Sequence, residues 1–260
     1  MGSKLRSWTI LGLGLVLGPI LILISEITLL LFSILVGSVY LAKNPVLNHE
    51  LIAFLRQLLN NNSFEGVQEF VIPHLLNPWI LAIILTFVSV IVPLVEEFIK
   101  PAGIWLIVKK NMKPVEGFVM GVLSGAGYAL FETLAASGNM GTGQSGFLLG
   151  RAGTDLLHIF NTGIVGWAMI SDWKLKGWFK LATVFILSVI IHGLWNGFAL
   201  TVGISSFIKE FSEDYNWAHS SGIGGAFGLV ILSLLLLSSL WMINLKFQNS
   251  GMEKEKIIDV

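Results

Sequence analysis

The chain has 260 residues, 54% of them hydrophobic and only 12% charged, which argues against a water-soluble globule and for an all-α, polytopic membrane bundle. Its 16 basic and 16 acidic residues balance, so nothing in the net charge calls for a nucleic-acid partner. It has no cysteine, which rules out disulfides, thiol nucleophiles, thiolate metal ligands and palmitoylation and leaves Glu, Asp, His, Ser and Lys to carry any chemistry.

A membrane span needs about 20 apolar residues. Lys4 and Arg6 precede a first apolar run, 8–24, which lacks a small-x-small cleavage pattern and reads as a retained segment. A second run, 26–42, follows at once, with Glu26 between the two as a turn or interface residue. The stretch 43–78 contains an amphipathic piece, 46–59, expected to be a short interfacial helix, and then an Asn-rich break. Further runs cover 79–108, 115–136, 147–170, 178–202 and 222–245. Because 79–108 carries Pro93 and Pro101, it is either two passes or one broken helix, giving seven or eight membrane segments in a single domain, 1–260. The lysines of 109–113 and 174–180 and the Lys246 tail belong on the cytoplasmic side, and the loops 137–146 and 203–221 outside. Seven spans would then put Lys4 and Arg6 on the wrong side, so the N-terminal parity stays open.

Ionisable residues inside spans are few: Glu26, Glu96, Glu97, Lys100, Glu132, Arg151, Asp155, His158 and His192. Each is costly in hydrocarbon unless partnered or watered, and so is a candidate functional residue. At 1.5 Å per residue, Glu96, Glu132, Asp155, His158 and His192 fall roughly 18–25 Å from the inner ends of four helices, in one layer. Asp155 and His158 share a helix face, as do His192 and Asn196. Glycines before Glu132 and around both histidines suit close helix approach and a tight polar core rather than a wide pore.

Glu96-Glu97-Phe98-Ile99-Lys100, then Tyr128 to Glu132, then His158 to Gly166, then His192-Gly193-Leu194-Trp195-Asn196 resemble, in order and spacing, the four membrane motifs of the PrsW family, intramembrane metalloproteases related to the CAAX prenyl endopeptidases. The resemblance covers residues 79–202, the catalytic-like core; its one small departure is Tyr128, where phenylalanine is expected. It implies an intramembrane endopeptidase of the cell membrane acting on membrane-tethered protein substrates such as anti-sigma factors. His158, His192 and one carboxylate can give a divalent metal, zinc by preference, three ligands and an open fourth position. By the resemblance Glu96 is the base and Glu97 the ligand or orienting acid, with the order reversible. A metal-free version, in which Glu and His activate water and His192 with Asn196 stabilises the oxyanion, stays open beside it. Lys100 is placed to neutralise Glu96 four residues earlier. Glu132 is assigned either to supporting His158 or Lys100 or to pairing with Arg151 or Lys100, and Asp155 either to ligand support or to pairing with Arg151.

Three rival readings remain. Gly143-Gln144-Ser145-Gly146 spells a rhomboid-type serine motif, but it lies too far above His192 and reads as a glycine-rich turn. A transporter or channel would use the same carboxylates and histidines as an ion or proton relay. A protease-like binding protein would have lost its chemistry, against which Glu96, Glu97, His158 and His192 all stand intact. His49, His74 and His219 are expected in solvated loops.

Overall fold

The computed structural model describes residues 4–61, 67–108, 112–137, 144–175, 177–211 and 216–258, and every regular element among them is helical. The bundle is therefore all-α and membrane-embedded, as its composition requires, with five helices among the described residues long and apolar enough to cross a bilayer.

The first element corrects the expected pair of spans 8–24 and 26–42: both lie in one helix, α1 (Lys4–Lys43), about 60 Å long at 1.5 Å per residue. Glu26 is thus in mid-helix and marks no turn. The buried residues of α1 all fall between Ile10 and Ile22; the remainder of its apolar length lies outside the packed bundle. Helices α2 (Pro45–Asn61) and α3 (Val67–Leu75) form the connection, the first matching the expected interfacial helix.

Residues 78–107 make one broken traverse. Helix α4 (Pro78–Thr86) starts on a proline at its first turn, with Asn77 accepting from the Trp79 backbone N–H at 3.0 Å. A π-helical turn, Phe87–Ile91, follows and leads into α5 (Val92–Ile99), then a break at Lys100 and Pro101, then α6 (Ala102–Ile107). The cause of the π turn is Pro93. In the π register Val92 donates to Phe87 O, and the next donor, to Val88 O, would be Pro93, which has no N–H. Asn196 fills the gap by donating its Nδ2 to Val88 O at 3.0 Å.

Helices α7 (Pro114–Ser137), α8 (Gln144–Leu175), α9 (Phe179–Phe211) and α10 (Asn216–Ile258) complete the bundle. Both α9 and α10 reach into the expected outer loop 203–221, and Ser145 lies in the first turn of α8, with Gly143 outside the described residues. His49, His74 and His219 are on α2, α3 and α10 rather than in loops. Helices α7 and α8 touch backbone to backbone: a Cβ on Gly117, Gly121 or Gly125 would collide with the carbonyl of Gly166, Thr162 or His158. That contact holds His158 against α7.

Arg6 pairs with Glu116 at 3.9 Å, and Phe247 packs edge-on against Phe118 with ring centroids 5.5 Å apart, so the start of α1, the start of α7 and the end of α10 share one side.

Candidate active site

Four elements aim polar side chains at one point. The α5 turn before the break supplies Glu96, Glu97 and Lys100; α7 supplies Tyr128 and Glu132; α8 supplies His158; α9 supplies His192. The break positions Lys100: Ser124 on α7 donates to its carbonyl oxygen at 2.7 Å, a carbonyl released from the helix ladder by the irregular turn at Pro101. On the inner side the cluster is closed by the apolar layer of Ile10, Ile104, Met112, Met120, Met169 and Ile170.

Each histidine carries a carboxylate on one ring nitrogen. Glu132 Oε2 lies 2.7 Å from His158 Nε2, and Glu97 Oε1 lies 2.8 Å from His192 Nδ1. A carboxylate accepts, so those nitrogens donate, and the lone pairs fall to His158 Nδ1 and His192 Nε2. Both remaining nitrogens are near Glu96 or the cation beside it: His192 Nε2 is 3.9 Å from Glu96 Oε2, while Lys100 Nζ donates to His158 Nδ1 at 2.8 Å. Lys100 Nζ is also 2.8 Å from Glu96 Oε2 and 3.0 Å from Glu97 Oε1. The rings of His158 and His192 meet edge-on at 5.4 Å.

Burial is nearly complete: Glu97 is 0% exposed, Lys100 and His158 1%, His192 2% and Glu96 6%. Glu97 Oε2 has no hydrogen-bond partner, and Glu96 Oε2 has the Lys100 ion pair but no aligned hydrogen bond. Glu96, His158 and His192 each offer a ligand atom within 4.8 Å of the others. Two imidazoles fixed by carboxylates, with a third carboxylate holding unused acceptor capacity beside them, are donors that suit a divalent metal.

Outside this core, Arg151 on α8 donates to Glu132 Oε2 at 3.1 Å, to Asp155 Oδ1 at 3.3 Å and to Thr133 Oγ1 at 3.0 Å. Thr133 in turn donates to Asp155 at 3.0 Å. Glu132 therefore contacts both His158 and Arg151, two partners between which sequence reasoning left it divided, and Asp155 faces Arg151 and Thr133. Asn196 is at the contact of α9 with the π turn, donating to Val88 O.

Two participants escaped the sequence reading. Tyr128 counts there only as a small departure from a motif, yet its ring lies 4.7 Å from Lys100 Nζ and packs edge-on against His158. Its position four residues before Glu132, on the same helix face, was the available signal. Glu26, set aside as a turn residue, stands half-buried on α1 within electrostatic reach of Glu96, Glu132 and Lys100.

Residues 26–211 match the model of the PrsW family of intramembrane metalloproteases. The chain matches no curated protein and no solved structure. The family match covers most of the chain and extends beyond 79–202 on both sides, and the chain belongs to that family.

Proposed function

We propose that this member of the PrsW family is an endopeptidase that hydrolyses peptide bonds of membrane-tethered protein substrates, anti-sigma factors among them, from a site buried in the cell membrane. One observation carries the reading: two carboxylate–histidine pairs, Glu132 with His158 and Glu97 with His192, drawn from four helices, converge on Glu96. Structural staples need no such pairing of ring tautomers.

In this reading Glu96, His158 and His192 hold the metal, and Glu97 is the orienting acid. Glu97 keeps the orienting role that the sequence allowed it, while Glu96 moves from base to ligand, because Glu97 Oε1 is already engaged by His192 Nδ1 and Lys100 while Glu96 faces both histidines. Nitrogen and oxygen donors of this kind suit zinc. The chemistry a divalent metal supplies in such a set is acidification of water and polarisation of the scissile carbonyl. The chain's own groups do the rest. Glu132 and Glu97 fix the ring tautomers, so that His158 Nδ1 and His192 Nε2 present lone pairs inward. Glu97 Oε2, buried without a partner, can accept a proton lost from water and return it to the leaving amine. Asn196 serves by holding α9 against the π turn, and Asp155 by holding Arg151.

A transmembrane ion relay is disfavoured by the same geometry. Polar groups run from Glu132 and Asp155, each about one-third exposed, inward to Glu96, and there the apolar layer around Ile104 and Met169 ends the path. A polar cluster that is open at one end and closed at the other suits hydrolysis, which needs water from one side only.

The test compares membrane-protein N-termini in cells expressing wild type, Glu96→Gln or His192→Ala at equal abundance. New N-termini confined to the wild type establish proteolysis and name the substrate. Identical N-termini from folded wild type and variants, under envelope stress as well, would sink the assignment.

A further inference from the structure

Lys100 stands where three inward-facing acceptors meet, and among the described residues it is the only fully buried cation. Its ammonium is 2.8 Å from Glu96 Oε2, 2.8 Å from His158 Nδ1 and 3.0 Å from Glu97 Oε1. An ammonium has three donors, of which two meet Glu97 Oε1 and His158 Nδ1 as hydrogen bonds while the Glu96 carboxylate lies at ion-pair distance. Carboxylate oxygen and imidazole nitrogen are the donor types that hold a divalent metal, and two of the three residues belong to the Glu96, His158 and His192 set. The lone pair of His158 Nδ1 can serve one cation at a time.

We infer that the Lys100 ammonium occupies the cation position of this site in the metal-free chain, and that a divalent metal must displace it to gain His158 Nδ1 and Glu96. The inference rests on the metal reading above and adds to it a competitor supplied by the protein itself. The backbone of Lys100 is fixed by Ser124, so only the flexible stem need turn, and the Tyr128 ring, over which the ammonium already lies at 4.7 Å, can keep stabilising the cation as it leaves the acceptors. Lysine suits this exchange better than arginine, whose fixed planar fork cannot withdraw its charge along a four-carbon stem.

Two consequences separate this from a plain charge-neutralising role. The wild-type chain folds in chelator, because its carboxylates already have a cation. Removal of the ammonium strengthens metal binding, whereas a lysine that merely assembled the ligands would weaken it on removal.

The experiment titrates detergent-purified protein with Co²⁺, reading the visible bands of the ion bound to nitrogen and oxygen ligands, in wild type, Lys100→Met, Lys100→Gln and His192→Ala. Lys100→Gln keeps a hydrogen-bond donor and guards against loss of the fold in Lys100→Met. The expected result is Co²⁺ binding by wild type, its loss in His192→Ala, and a Kd at least tenfold lower in the Lys100 variants. Equal or weaker binding by folded Lys100 variants, with His192→Ala still defective, would overturn the Lys100 inference and leave the metal reading standing. Binding unaffected by His192→Ala, or absent from every protein, would overturn both. Should neither Lys100 variant fold, the ¹⁵N signal of the buried ammonium in lysine-labelled wild type decides: it moves when Zn²⁺ is added if Lys100 is displaced, and a signal indifferent to Zn²⁺ overturns the inference.

Discussion

Two ionic clusters share this bundle, joined through the contact between His158 and Glu132. In the inner one, around Lys100, the side chains of Glu96, Glu97, Lys100 and His192 are at most 7% exposed. In the outer one, around Arg151, the carboxylates of Glu132 and Asp155 are 36% and 32% exposed. Composition barely distinguishes them, for each has one cation between two carboxylates. Solvent does: water screens the outer charges and can replace a lost partner, while in the inner cluster each group depends wholly on the others. In the proposed mechanism the inner cluster carries the chemistry and the outer one holds Glu132 on its histidine.

The largest expected contrast is in turnover. Glu96→Gln and His192→Ala should lower substrate cleavage by about a thousandfold or more, while Arg151→Gln should lower it by no more than about tenfold, measured as the rate at which the wild-type-dependent N-terminus accumulates. An Arg151 variant as dead as Glu96→Gln would put the outer cluster into the reaction and break the comparison.

Stability in chelator gives the next contrast. Deleting one partner of a buried ion pair costs about 3–5 kcal/mol, so Lys100→Met should lose roughly that much in reversible unfolding in mixed detergent. Arg151→Met, whose partners are about one-third exposed, should lose about 1 kcal/mol or less. Equal losses would show that water reaches both clusters alike.

Glu132→Gln belongs between the two. It keeps the shape of the side chain but weakens the acceptor on His158 Nε2, and such partners of ligand histidines are worth about 10–100-fold in metal affinity or activity. Co²⁺ affinity and cleavage should fall together by that factor; a loss of cleavage with unchanged affinity would detach Glu132 from the tautomer role.

The two clusters also differed in how much of them could be read without a structure. Helical rise alone put Glu96, Glu132, His158 and His192 in one layer, and they do converge, because a span of fixed thickness converts sequence position into depth. Rotation about each helix is not fixed that way. Which of Glu96 and Glu97 faces both histidines depends on the broken turn between Pro93 and Pro101, and a π turn shifts the facing of everything after it. Asn196 was weighed as an oxyanion donor because the orphaned carbonyl of Val88 exists only once that π turn is known. Glu26 went unrecognised for a different reason: an ionisable residue between two apolar runs of span length looks like a boundary, and only tertiary packing shows that the helix continues through it.

The smallest effect is expected at Asp155, and it is the most discriminating of the four for that reason. Asp155 lies on α8 one turn above His158 and shares its helix face, so spacing alone would make it a ligand or a support for one. Its contacts are instead Arg151, one turn further out, and the Thr133 hydroxyl. Asp155→Asn keeps an acceptor for both and removes a charge that is one-third exposed, an interaction worth about 0.2–1 kcal/mol in such settings. Cleavage should stay within about threefold of wild type, and Co²⁺ affinity should not change. Whatever loss occurs should shrink further in high salt, since the pair it weakens is already screened. A large, salt-insensitive loss would mean that Asp155 reaches the reacting groups, and the boundary between the chemical and the supporting cluster would then lie one helical turn further out than the hydrogen bonds of Arg151 put it.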